Sequence, residues 1–217
     1  MQEILLAAGA GGGMKGDKTL LLLQADKGGI DVAKPTRQFS KVATVGTGSY
    51  GKFNNKYFDC TTTASYFEMM AAEKTDLVFK PEDEFTIEFW SRNSSVASSW
   101  WMYFGTGTQS CLKVYQSVVY LQDQKNYLSF STNYWPLSNW THVAIVSKGG
   151  VTKLYLNGKV APTTTSFASG GWSDVSRFAR IGFGEQTMFG GLDQFRISKV
   201  ARYDGNFSVP TAPFVLD

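Results

Sequence analysis

The sequence predicts an all-β protein: two antiparallel layers forming a sandwich, preceded by an extended N-terminal arm. Three observations carry that prediction. Apolar and polar residues alternate with period two in EFTIEFWSR (84–92). Asn157-Gly158 sits between two strand-like segments in KLYLNGKV (153–160) and supplies the two positive-φ residues of a type I′ hairpin. Short apolar runs then recur between Gly-, Asn- and Ser-rich breaks, with no helical period longer than a turn or two. Aromatic residues make up 15% of the 217, and 22 are glycine, a mixture suited to short strands and tight turns. The length fits one domain large enough to bury a substantial core.

Residues 1–18 stand apart from the domain at 19–217. Ile4-Leu5-Leu6 is a short apolar plug followed by AAGAGGGMKG, which has no core of its own to join. Order in such an arm needs an external hold. The contact expected is with a neighbouring subunit through Ile4, Leu5 and Leu6, the alternative being the arm's own domain. Thr19–Gln24 reads as a strand buried on both faces or an edge strand under a loop. The polar, Gly- and Pro-punctuated stretch 28–46 reads as a long loop. Strands follow near 57–60, 64–70 and 76–80, with a turn at Lys80–Asp83. In the next strand Phe85, Ile87 and Phe89 point to the core, and Thr86, Glu88 and Trp90 line the other face. Further strands are expected at 101–105, 111–115, 117–121 and 127–131, with turns at Gln109-Ser110 and Gln124–Asn126. WTHVAIV (140–146), the 153–160 hairpin, RIGFG (180–184) and GGLDQFRIS (190–198) complete the set. In the last, alternation puts Asp193, Phe195 and Ile197 on a core-facing side and Leu192, Gln194 and Arg196 on the other.

The order of these pieces resembles a known family. LLLLQADKG (20–28), KFNNKYFDCTTTASYFEM (52–69), EFTIEFWSR (84–92) and the segment from Trp140 to Phe214 resemble the laminin-G-like branch of the concanavalin A-like lectin/glucanase superfamily. The resemblance is to the version found in bacteriophage structural proteins, often in tails. It implies a jelly-roll β-sandwich. It implies less about activity, because one fold hosts many functions.

Composition removes several function classes. Net charge is +3 and charged residues are 18%, with Lys and Arg scattered beside acids, so no nucleic-acid footprint is present. No run approaches the ~20 apolar residues of a membrane span. The start MQEILLAAGAGGG lacks a basic region, and Ile4–Ala8 is too short for a signal peptide core, so no secretory signal is expected. Acceptor patterns for N-glycosylation at Asn93, Asn139 and Asn206 then read as chance matches. Cys60 and Cys111 show no metal spacing and read as two separate thiols.

Sandwich glycosidases of the superfamily carry Glu-x-Asp-x-x-Glu on one strand. Here Thr86 stands where an acid is needed, and Glu84 and Glu88 are about 13 Å apart at ~3.3 Å per residue, beyond glycosidase separations. The one histidine, His142, reads as a buried, hydrogen-bonded strand residue. The resemblance implies a structural calcium near Asp26 and Asp193, whereas the residues themselves favour Asp193 as an acceptor of backbone N–H bonds. No other cofactor is expected. Glycan stacking has candidates in Trp90, Trp100, Trp101 and Trp135; adjacent Trp100 and Trp101 face opposite ways, so one must leave the core. GAGGGMKG precedes no helix and fails the context of a phosphate loop. The expectation is a non-enzymatic virion protein, for capsid decoration or tail attachment, made in the host cytoplasm. Its arm would hold a virion neighbour or a second copy, and its loops would offer a surface for host glycan. A free lectin module is the alternative reading, and a polysaccharide-cleaving hydrolase ranks behind it.

Overall fold

The computed structural model describes residues 18–80, 82–94, 100–106, 109–115, 118–123, 127–129, 137–162, 178–183 and 188–217; for residues 100–129 the side chains of Met102, Tyr103 and Phe104 alone are described. The described strands are β1 (Thr19–Leu23), β2 (Phe39–Lys41), β3 (Thr44–Thr47), β4 (Lys56–Asp59), β5 (Phe67–Met69), β6 (Phe85–Asn93), β7 (Trp100–Thr106), β8 (Gln109–Tyr115), β9 (Val118–Asp123), β10 (Tyr127–Ser129), β11 (Thr141–Lys148), β12 (Val151–Leu156), β13 (Lys159–Val160), β14 (Phe178–Ile181) and β15 (Gly190–Ser198). One sheet runs β13-β12-β11-β6-β15-β4-β3, with β1 also paired to β15; the other runs β10-β9-β8-β7-β14-β5-β2. Helical structure among the described residues is confined to three-residue 3-10 turns at Ala25–Lys27, Ala71–Glu73 and Thr75–Leu77. The arm, with Ile4, Leu5 and Leu6, lies outside the described residues, as does Trp135.

The core lies between the sheets. Leu21, Leu23, Phe58, Phe85, Ile87, Phe89, Phe195 and Ile197 of the first meet Phe67, Met69, Met102, Phe104 and Ile181 of the second. Phe58 and Phe67 cross the gap edge to face at 4.7 Å, and Phe89 stacks on Phe195 at 5.6 Å. Such pairs add about 0.5–1.5 kcal/mol beyond the area they bury. Asn157 and Gly158 take φ of 49° and 76°, the hairpin that the sequence predicts. Cys60 is a buried free thiol, and burial pushes its pKa up.

Several expectations are corrected. The stretch 28–46 is not all loop: it carries β2 and most of β3, edge strands of opposite sheets whose polar residues face solvent. The segment near 76–80 begins as a 3-10 turn, which still buries Leu77 and Phe79. Gln109 and Ser110 belong to β8 rather than to a turn. In β15 a bulge between Asp193 and Arg196 breaks the alternation. Gln194 takes φ 52°, and Leu192, Phe195 and Ile197 all reach the core. Asp193 instead lies opposite Trp90 on the outer face.

That outer face is itself covered. Every residue of β15 is buried, as is almost all of β6; around Glu88, Trp90 and Arg196 the C-terminal segment 199–217 and the loop after β1 pack over the sheet. Gln24 Nε2 donates to the Phe214 carbonyl at 2.9 Å, and Phe214 N donates to Gln194 Oε1 at 2.8 Å. Beneath this strap Glu88 is fully buried. Its Oε1 accepts from Arg196 Nε and Nη2 at 3.0 and 2.7 Å, and its Oε2 accepts from Tyr203 Oη at 2.7 Å and faces His142 Nε2 at 3.2 Å. Burial pushes the Glu88 carboxyl up, but the hydrogen bond to His142, the Arg196 charge and Tyr203 outweigh it, and the net shift is downward. A second anchor, Arg37, holds Asp31 at 2.7 Å and Asp76 at 2.7 and 2.9 Å, tying the loop after β1 to the 3-10 turns.

Asp193 is held differently. Its Oδ1 accepts from the backbone N–H groups of Ala25 and Gln194 at 3.2 and 2.8 Å, while its Oδ2 is buried without a hydrogen-bond partner among the described residues. Burial raises its pKa to about 6, and the backbone bonds offset that only in part.

Two predictions follow from these buried acids. Glu88→Ala leaves Arg196 charged and unpaired under the strap and should cost about 3–5 kcal/mol in urea unfolding, with Glu88→Gln costing less; equal, small losses would show that the charge is unimportant. For Asp193 the folded pKa lies above the ordinary 3.8, so its contribution is full below that value and is lost as pH rises through about 6. A rise of about two units corresponds to ~3 kcal/mol. Urea melts between pH 4 and 7 should show this decline, and Asp193→Asn should flatten it; a slope unchanged by the substitution would refute the assignment.

Candidate functional site

Where β6 ends and β15 begins, the outer face of the larger sheet opens into a cleft of about 350 Å³ lined by Tyr50, Tyr57, Asp59, Arg92, Trp140 and Gly191, with Asn93, Ser94, Ser138 and Phe189 around its rim. Gly191 is its floor. In the sheet it stands between Arg92 of β6 and Asp59 of β4. A Cβ there would come within 3.0 Å of the Tyr57 ring and 3.3 Å of Trp140, so the missing side chain is what admits both rings. Tyr57 reaches this face because it precedes the core residue Phe58 on a period-two strand.

The walls are fixed by hydrogen bonds at the end of β6. Ser138, at φ 61°, donates its N–H to the Asn93 carbonyl at 2.7 Å and accepts from Arg92 Nε at 2.9 Å. Phe189, at φ 53°, accepts at its carbonyl from Ser94 N at 3.0 Å and Ser94 Oγ at 2.8 Å. A bulky residue at positive φ is a strained conformation, and here it is held by those two donors. Trp140 Nε1 donates to the Tyr50 carbonyl at 2.8 Å. The Tyr50 side chain stays 56% exposed, with the Arg92 guanidinium 4.3 Å over its ring. Asp59 Oδ1 accepts from Thr61 N and Oγ1 at 3.0 and 2.6 Å. The cleft therefore presents aromatic faces, a guanidinium and a carboxylate around an open floor. Such a set can stack on a flat apolar ring face and exchange hydrogen bonds with polar substituents.

The described residues among those singled out from the sequence do not gather here. Trp90 is 3% exposed, packed with Leu22 and Phe214 under Phe53 and capped by Lys52 Nζ at 3.7 Å, so no face is left for a ligand. Trp100 and Trp101 lie on β7 of the opposite sheet, and their side chains are outside the described residues. His142 is fully buried against Glu88 and the rings of Trp90, Tyr203, Phe207 and Phe214. Asp26 pairs with Lys27 at 3.3 Å, while its neighbour Ala25 donates its backbone N–H to Asp193. Near Asp193 the cation is Lys52, whose pKa burial lowers and the Asp193 charge raises. Among the described residues no group of three His, Cys, Asp or Glu could hold a metal ion. Sequence reasoning missed Tyr50, Tyr57, Asp59, Arg92 and Trp140 as a group. One signal was present: the Gly190-Gly191 pair opening a strand, which marks a close approach of other side chains.

Comparison with known proteins places this geometry in context. Domain 4 of AbnA, a GH43 extracellular arabinanase from Geobacillus stearothermophilus solved in complex with arabinotriose, superposes with a TM-score of 0.60 at 14% identity, covering 85% of this chain and 94% of that one. The binding domain of Paraclostridial Mosquitocidal Protein 1 gives 0.55 at 13% identity, covering 86% of this chain and 50% of that one. The ligand binding domain of Botulinum neurotoxin serotype D, in complex with N-acetylneuraminic acid, gives 0.55 at 12%, covering 86% and 48%. The chain thus spans about half the length of the two toxin domains, and at these identities the likeness is one of fold. No curated protein sequence matches the chain. The family model Laminin_G_3 matches residues 62–205. With that match across most of the two-sheet sandwich, the chain belongs to the Laminin_G_3 family of the concanavalin A-like lectin/glucanases superfamily.

Proposed function

We propose that this protein is a non-enzymatic glycan-binding module, carried as an attachment or decoration subunit on a bacteriophage particle. The observation that carries the reading is the cleft in which Tyr50, Tyr57 and Trp140 surround a glycine floor between Arg92 and Asp59. Sugars are bound by this combination of ring faces and charged hydrogen-bonding groups. The similar folds solved with arabinotriose and with N-acetylneuraminic acid lend support. Asp59 is the single carboxylate of the described lining, whereas glycosidic cleavage uses a pair, and this favours binding without hydrolysis.

The particle setting rests on the resemblance of residues 20–214 to modules of phage structural proteins. The described domain starts beside its own C-terminal residue: Lys18 N donates to the Asp217 carbonyl at 3.3 Å, and Arg202 grips the Asp217 carboxylate at 2.7 and 2.9 Å. Neither Lys18 nor Asp217 lines the cleft. A neighbouring virion subunit or a second copy of the chain is the partner proposed for Ile4, Leu5 and Leu6.

A glycan array probed with the whole protein should give saccharide binding that falls about tenfold in Tyr50→Ala, a change that removes an exposed ring and keeps the backbone carbonyl used by Trp140. Gly191→Ala should weaken binding as well while the protein still folds, because the added methyl displaces Tyr57. An array blank for the unaltered protein sinks the glycan reading. Deleting residues 1–16 should abolish incorporation into particles and leave the melting temperature unchanged; unchanged incorporation removes the anchor.

A further inference from the structure

The described arginines divide unevenly. Arg37 holds Asp31 and Asp76, Arg180 holds Glu68, Arg196 holds Glu88, and Arg202 holds Asp217. Arg92 alone among the described arginines has no carboxylate, and it is the one that lines the cleft. Neutral groups position it instead. Its Nε donates to the Ser138 carbonyl at 2.9 Å and its plane lies 4.3 Å over the Tyr50 ring. Its terminal amino groups make no hydrogen bond to the described residues. A guanidinium so held keeps its paired N–H donors for a planar or tetrahedral oxyanion, the match that makes arginine the residue for carboxylates and phosphates.

The opposite wall has the complementary chemistry. Asp59 stands on the far side of Gly191, about 10 Å from Arg92 at ~4.8 Å per strand. Thr61 occupies one of its oxygens, and its Oδ2 makes no hydrogen bond to the described residues. A sugar ring on the glycine floor would direct an anionic substituent to Arg92 and hydroxyls to Asp59.

We propose that the cleft selects an anionic saccharide, with its carboxylate or phosphate on Arg92 and its hydroxyls on Asp59. This rests on the glycan reading above and narrows it to a ligand class. The test uses the whole protein on an array of matched pairs: sialylated and desialylated, uronate and carboxyl-reduced, phosphorylated and dephosphorylated. An acidic member should bind about tenfold better than its neutral match, the scale of one charge-assisted hydrogen bond. Which pair discriminates identifies carboxylate or phosphate as the source. Arg92→Gln should abolish the preference while the protein remains folded by circular dichroism, and Arg92→Lys should retain part of it. Equal binding within every pair overturns the anionic proposal and leaves the glycan reading standing. Absence of binding to every saccharide by the folded protein overturns both.

Discussion

The central pair of strands, β6 and β15, is buried on both faces, and the rest of the molecule is arranged around that constraint. One face packs into the apolar core between the sheets. The other carries Glu88 and Arg196, with His142 of the neighbouring β11 beside them, and all three are buried. Charges in a low-dielectric site must find partners, and Glu88 finds Arg196, Tyr203 and His142 within hydrogen-bond distance. Tyr203 belongs to the C-terminal segment, so satisfying the carboxylate also fastens that segment across the sheet. The strap excludes water, and dryness in turn makes the loss of either partner alone costly, because the other charge is left buried and unpaired.

The same two strands then generate the cleft at their far end. There the strap is absent and the pairing of Gly190 and Gly191 with Asn93 and Arg92 leaves a floor without side chains. Two residues in left-handed conformations, Ser138 and Phe189, are locked onto the end of β6 by four hydrogen bonds counted across Asn93, Ser94 and Arg92. Strain of this kind persists only where the surroundings over-determine it. A rigid sheet end with pinned loops presents preformed aromatic and charged groups, which lowers the ordering cost of binding. Glu88 and the cleft thus divide two roles that a sequence motif would have merged: one carboxylate is buried for architecture, and Asp59 is left at the surface for contact.

Membership in a superfamily of lectins and glucanases leaves activity open, because the sandwich serves both. Among the described residues the cleft lining contributes one carboxylate, where glycosidic cleavage uses a pair, and an arginine with no acidic partner. The outer face of the larger sheet is therefore where this chain's own chemistry is concentrated among the described residues, while Trp100 and Trp101 lie on the other sheet.

The sequence by itself determined the class of fold. Period-two alternation placed Phe85, Ile87 and Phe89 in the core, and Asn157-Gly158 fixed a hairpin, because both signals depend only on neighbours along the chain. The burial of His142 was legible for the same reason. The tertiary structure alone decided the rest. The bulge at Asp193-Gln194 shifts Leu192 onto the core side, since Gln194 is stabilised at positive φ by side-chain bonds to Gln24 and Phe214, 170 and 20 residues away. Trp90 is covered by a loop and a C-terminal strap that no local pattern announces. Tyr50, Tyr57, Arg92, Trp140 and Gly191 are scattered over 142 positions and meet only when β4, β15 and β6 pair in register, so the site is a product of long-range packing rather than of any motif.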